Sequence, residues 1–270
     1  MAALEQGKPV YLEKPLALSL DEGRHVLAAW RRAGVVGMIG FNLRFHPLFQ
    51  AAKQHLQSGR LGDLVGARSV RSTVVQSLPP WKLSRHSGGG ALLDLASHHI
   101  DLLHFLFGQT VHEVFAELRS QRSEDDGAML QLRLAGGLIV QCWFSLTAVE
   151  EDRFEVYGQA GKLTVDRYRS LDAEITEVTR KFARFAQVRR KLRALVCNPS
   201  LLGKIVAPRR EPSYRAALAH FVSAVRAGRP TSPDFWDGYR SLAVIAAAEE
   251  SARTGHVVVL PDPADEDFAG

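Results

Sequence analysis

The sequence predicts a chain of two successive classes: an α/β segment holding a parallel strand pair, then an α+β segment with a mostly antiparallel sheet and helices on one face. Three observations carry this. Residues 10–13 and 35–41 are short apolar strand patterns separated by a capped helical stretch, and a β–α–β order implies parallel pairing. Residues 87–107 run from three glycines into one long apolar helical pattern. Beyond Gly108 the pattern becomes a series of strand runs with turn signals between them.

Residues 1–7 read as the last turns of a helix closed by Gly7. The strand at 10–13 ends at Lys14 and Pro15, and the proline keeps Lys14 extended at the strand's carboxyl end, the edge where open α/β sheets bind ligands. Ser19 and Glu22 form a capping box for a helix running to about Ala33 and closed by Gly34. Asn42 and Arg44 directly follow the second strand, again on the ligand edge, although a lone arginine at such a place is more often a surface charge or a loop anchor than a ligand contact. Pro47 opens a helix to Gln57, and residues 64–75 alternate as a half-buried strand. A proline-containing loop over 77–86 then delivers Trp81 beside the central helix, where it can cover a ligand or simply pack.

Strand runs follow at 111–120, 128–134, 138–147, 152–157 and 162–165, with hairpin-type turns at 135–137 and 159–161. Residues 214–227 and 237–253 read as helices ended by Gly228 and Gly255, 257–260 as a short strand, and 261–270 as an acidic tail. The expected division is 1–45, 46–260 and 261–270.

In the central helix Asp94, His98 and Asp101 stand at i, i+4 and i+7, which places them on one α-helical face. A core-facing helix has no packing reason to carry them near a glycine-rich entrance. A carboxylate one turn from an imidazole fixes its tautomer and raises its basicity, as a general acid/base needs, although such pairs are often plain hydrogen bonds. Metal ligation lacks support: there is no cysteine cluster and no HExxH.

At 270 residues with 46% hydrophobic and 23% charged residues, the composition is that of a globular protein with a large core. No apolar run has the length of a membrane span, and the two cysteines, Cys142 and Cys197, make no disulfide framework, so a cytoplasmic location is expected. The net charge of +5 is local. Residues 180–210 hold ten Lys and Arg and no Asp or Glu, which leaves −5 for the rest. Within that stretch Phe182, Phe185, Val188, Leu192 and Leu195 recur at helical spacing, as in a solvated or subunit-packing helix, with an anionic membrane surface or phosphate-bearing ligand as the sharper alternatives. Nucleic acid is not an expected partner, because no nucleic-acid fold pattern is present.

A lysine at a parallel strand's end, a later Asp-x-x-x-His helix and an antiparallel sheet after it occur together here. The sequence resembles the glucose–fructose oxidoreductase/inositol dehydrogenase (Gfo/Idh/MocA) family. The resemblance rests on residues 3–17 with Glu13, Lys14 and Pro15, on 40–47, on 88–101, and on the closing stretches 221–230 and 237–242. It implies an N-terminal Rossmann domain, a C-terminal sheet domain and hydride transfer between NAD or NADP and a sugar, cyclitol or related polyol. It further implies Lys14, Asp94 and His98 as catalytic residues. Glu13, Lys14, Asn42 and Arg44 would lie at the cofactor, and Arg44, Trp81, Asp94 and His98 at the substrate. No metal is implied, and a homo-oligomer through the antiparallel sheet is expected.

No G-x-G-x-x-G joins a strand to a helix, so a truncated Rossmann-type sheet is expected, lacking the turn that holds a pyrophosphate. A non-catalytic sugar-binding or oligomer-forming protein and an NAD-assisted glycosidase are the alternative readings.

Overall fold

The computed structural model describes residues 1–74, 78–177 and 211–261. The basic stretch 180–210 and nearly all of the acidic tail lie outside them. A short helix α1 (Ala2–Glu5) leads into β1 (Val10–Leu12), α2 (Leu20–Ala33) and β2 (Gly37–Ile39). β1 and β2 pair in parallel, with Val10 opposite Gly37 and Leu12 opposite Ile39. The Ser19–Glu22 capping box forms as expected, and Gly34 closes α2 with φ +60°.

After a 3₁₀ turn (Asn42–Phe45) come α3 (Pro47–Gln57) and β3 (Leu64–Val74). The central helix opens with a π-helical turn (Leu92–Ala96) and continues as α4 (Ser97–Phe107). Strands β4 (Val111–Arg119), β5 (Gly127–Leu134), β6 (Ile139–Ser145), β7 (Thr147–Gly158), β8 (Gly161–Asp166) and β9 (Glu174–Glu177) follow, then α5 (Ser213–Ala227), α6 (Phe235–Thr254) and β10 (Val258–Val259). The large sheet has the order β10-β4-β5-β6-β3-β7-β8-β9. Every pairing in it is antiparallel except β3 with β6. β9 has no counterpart among the predicted strands.

Side-chain alternation sets which face of this sheet is covered. Ala128, Leu130, Leu132 and Leu134 on β5, with Val140, Cys142 and Phe144 on β6, are buried against the helices. Met129, Ile139 and Trp143 on the opposite face remain exposed. α4 is buried on nearly all sides because it lies between sheet and helices. A second, smaller core joins Leu4, Leu16, Leu27, Ile39 and Phe41 to Phe235 and Tyr239 of α6. α6 thus ties the β1–β2 unit to the sheet, and the carboxyl end of β1 faces the start of the central helix.

Candidate functional site

Lys14 follows β1 directly, at a cis peptide bond to Pro15. Its Nζ donates to the Asp94 backbone carbonyl at 2.6 Å and lies 3.4 Å from Asp94 Oδ1. Lys82 Nζ donates to the other carboxylate oxygen, Oδ2, at 2.7 Å. The Lys14 and Asp94 side chains keep only 14% and 23% of their exposure.

The glycine run explains how Lys82 arrives there. Gly88 and Gly90 have φ of +102° and +92°, and a Cβ on Gly89 would sit 2.2 Å from the Lys82 carbonyl oxygen. Only glycines allow the 80–87 loop to fold this closely over the helix entrance. That fold carries Lys82 to Asp94 and Trp81 to the rim, where Trp81 is 53% exposed with Lys82 Nζ 5.3 Å from its ring centroid.

Electrostatics follow from this packing. Burial pulls Lys14 below its ordinary value, and the Asp94 carboxylate only partly restores it. Burial works against the Asp94 charge too, but Lys14 and Lys82 outweigh it and hold Asp94 below the usual carboxylate range. Burial, then Lys14, His99 and Arg71, drive His98 well below 6.5, so its ring is neutral near pH 7. His98 Nδ1 is buried without a partner, whereas Nε2 is not sealed and has no protein partner among the described residues. Phe41 packs edge-on against the ring at 6.2 Å.

Two expectations need correction. Asp94, His98 and Asp101 do not act as one row. The π turn at 92–96 departs from the α-helical register, so Asp94 engages the two lysines rather than His98, and Asp101 is buried on Arg44. Arg44 takes the role of an anchor, its guanidinium occupied by protein groups. Its Nε donates to Asp101 at 2.9 Å, and its other nitrogens reach Asp237 at 3.0 Å and Ser232 at 3.1 Å. Burial opposes the Arg44 charge, but Asp101 and Asp237 prevail and keep the guanidinium firmly protonated.

Asn42 is buried, donating from Nδ2 to Ser213 Oγ at 2.7 Å with Oδ1 unpartnered. Glu13 is exposed beside Lys14, its carboxylate against Gly40, where a Cβ would come within 2.6 Å of Oε2.

Sequence reasoning missed a polar cluster beside His98. Buried Ser69 and His99 are joined at 2.6 Å, and His99 Nε2 lies 3.2 Å from Asp152 Oδ1. Asp152 also accepts from Arg71 and, at 2.5 Å, from Arg167. Burial would raise Asp152, yet His99, Arg71 and Arg167 together hold it far below the usual carboxylate range. The available signal was parity. Ser69 and Arg71 on β3 share the inward alternation of Ala67, and register sets Arg71 opposite Asp152.

Residues 49–164 match the family model described as the GFO/IDH/MocA C-terminal domain. The chain is 31% identical over 270 residues to a 1,5-anhydro-D-fructose reductase of Ensifer adhaerens, covering 96% of this chain and 75% of that protein. It is 27% identical to the myo-inositol 2-dehydrogenase of Thermotoga maritima, covering 97% and 75% respectively. A levoglucosan dehydrogenase solved with NADH and levoglucosan superposes with a TM-score of 0.79 at 22% identity, over 97% of this chain and 76% of that one, a likeness of fold. These findings define an oxidoreductase class. The chain belongs to the Gfo/Idh/MocA family.

The cofactor of that class fits the described residues at its reactive end. Lys14 Nζ lies at the carboxyl side of a parallel pair, where such sheets bind ligands, and its charge acts on His98. Among the described residues no glycine-rich turn joins a strand to a helix N-terminus, so these residues provide no pyrophosphate cradle. Among the described residues there is also no group of His, Cys, Asp and Glu able to hold a metal, and no helix long and apolar enough to cross a membrane.

Proposed function

We propose that this chain is an NAD(P)-dependent oxidoreductase of a sugar, cyclitol or related polyol, with Lys14 as the proton-transferring group and His98 as the donor that orients the reacting oxygen. The observation that carries the reading is Lys14 Nζ, fixed by Asp94 in surroundings that disfavour its charge, next to a neutral imidazole. When bound, the nicotinamide supplies the hydride acceptor or donor.

The chain's residues handle the proton. Oxidation of a secondary alcohol requires a base at the hydroxyl, and a group is most effective when its pKa lies near the working pH. Lys14 is displaced toward that range, while His98 is displaced away from it. Protonating His98 would place a charge where burial and two cations oppose it. The tautomer with its proton on Nε2 instead donates to the substrate oxygen and leaves the sealed Nδ1 bare. Asp94 anchors Lys14 through both its backbone and its side chain, and Lys82 keeps that carboxylate turned toward the lysine. Trp81 offers an exposed ring at the rim for a sugar face.

In this reading residues 1–45 form the cofactor side and 46–260 the substrate side. The exposed Met129, Ile139 and Trp143 on the open sheet face are the surface through which copies would associate, and work in the cytoplasm accords with the buried free thiol of Cys142.

The test is a screen of sugars and polyols with NAD+ and NADP+, followed by the absorbance of the reduced nicotinamide. Lys14→Ala and His98→Ala should each lower turnover about a hundredfold or more. Near-wild-type turnover in both variants refutes the assignment.

A further inference from the structure

The polar cluster beside His98 contains hydrogen-bonding groups that the protein leaves unused. Arg71 extends from the helix-covered face of β3, opposite Asp152. Its Nη1 serves both Asp152 Oδ2 and the Tyr168 hydroxyl. Nε and Nη2 have no acceptor among the described residues, yet neither is sealed from solvent, and the side chain is 20% exposed. These two nitrogens form one edge of the planar guanidinium, the edge that takes a carboxylate through two parallel hydrogen bonds.

Tyr168 has the same imbalance. Its oxygen receives hydrogen bonds from Arg71 Nη1 and from Arg167 Nη2, the latter at 3.1 Å. A phenol so occupied can offer only its own hydrogen, and that hydrogen finds no acceptor among the described residues. Burial pushes the phenol up despite the two guanidiniums, so the hydrogen stays in place at neutral pH.

The protein carboxylates nearby do not satisfy these donors. Asp152 is taken up by Arg71 and Arg167, and Glu211 by Arg167 and Ser213. The cluster adjoins the reacting groups, since His99, the residue after His98, lies 3.2 Å from the Asp152 carboxylate that Arg71 serves. Uncharged hydroxyls would meet such an array as donors facing donors in part. A carboxylate meets it with acceptors alone.

We infer that Arg71 and Tyr168 form a carboxylate subsite beside Lys14 and His98, and that the substrates taken best are acidic sugars or polyols of the uronate and aldonate kind. This rests on the oxidoreductase reading for the identity of the cleft, and adds the class of substrate.

Calorimetric titration of the folded chain tests it, at fixed ionic strength, with and without NADH. D-glucuronate and D-gluconate are compared with D-glucose and D-glucitol in wild type, Arg71→Lys and Tyr168→Phe. Lysine keeps a cation beside Asp152 but loses the fork, and phenylalanine keeps the ring but loses the hydroxyl. The expected result is at least tenfold tighter binding of the acids by wild type. That ratio should collapse toward unity in Arg71→Lys and fall about threefold in Tyr168→Phe. Acids that bind no better than their neutral counterparts, or fail to bind in either condition, overturn the subsite, as does an advantage that survives both substitutions. Should neutral polyols be oxidised in a Lys14-dependent way with no preference for acids, the subsite alone fails. Should acids bind through Arg71 while no substrate reduces the nicotinamide, the oxidoreductase reading alone fails.

Discussion

Two charged clusters flank the central helix, and they differ in what they leave unfinished. Around Arg44 the charges are paired: Asp101 and Asp237 clasp the guanidinium, Arg240 pairs with Asp237, and Ser232 accepts a further Arg44 donor, while Arg240 Nε and both His104 ring nitrogens are buried without a partner. Around Lys14, needs are left over: His98 Nδ1 has no partner, Lys14 is held below its ordinary value, and an exposed tryptophan stands at the rim. A structural network favours pairing, because each unmet buried group costs about 1–3 kcal/mol. The difference teaches that burial, charge and an unmet polar atom do not by themselves mark function in this fold; a cation held below its ordinary value among groups that solvent can reach is the sharper sign.

Breaking the charge-paired cluster around Arg44 should have the largest effect on stability. Arg44→Met strands Asp101 and Asp237 and is expected to cost about 3–5 kcal/mol, read from urea unfolding. His104, whose basicity Arg240 and Arg44 depress further, extends the same side of the helix. Burial, then those two arginines, lower it from 6.5 to about 3. The unfolded chain therefore binds the proton first as pH falls. The stability due to neutral His104 is complete above about pH 6.5 and is lost progressively down to about 3. That slope amounts to about 2 kcal/mol between pH 6.5 and 5, and His104→Leu should flatten the acid side of a stability–pH curve by this amount.

Around Lys14 the smaller, sharper effects are shifts in pH dependence. Oxidation should speed up as Lys14 loses its proton, at a pH below the ordinary lysine value of 10.5. Asp94 raises Lys14 and Lys82 lowers it. Asp94→Asn should therefore move the rising limb of kcat/KM to lower pH, and Lys82→Met should move it to higher pH. Shifts in the same direction would mean that the limb belongs to another group.

Much of the frame was legible in the residues themselves. The Ser19–Glu22 box, Pro47 and the glycines at 34, 108, 228 and 255 fix helix ends through local chemistry, so those boundaries appear where expected. The strands from β4 to β8 follow from alternation. Lys14 was legible from its place after a strand. Its contact with Asp94 was not, because the two lie 80 residues apart and meet only through the packing of the β1 end on the helix entrance.

The π turn was equally hidden. Asp94, His98 and Asp101 have α-helical spacing, and nothing in 92–96 announces a wider turn or shows that Asp94 would pair with Lys14 and Lys82 while Asp101 turns to Arg44. Arg44 was placed at the ligand edge by its position after the second strand; its anchoring partners, Asp101 and Asp237, come from distant elements and were not legible. Arg71 and Asp152 were visible only as charges at inward positions of strands, a signal that needs the register of β3 and β7 to interpret.

The most direct test of the central claim is one variant measured in two ways. Lys14→Met should leave thermal unfolding within a few degrees of wild type, because a cation that burial opposes is replaced by an apolar chain of similar length, while turnover falls about a hundredfold or more. A Lys14→Met protein that unfolds far below wild type and yet keeps its turnover would contradict the account, making Lys14 a structural anchor like Arg44.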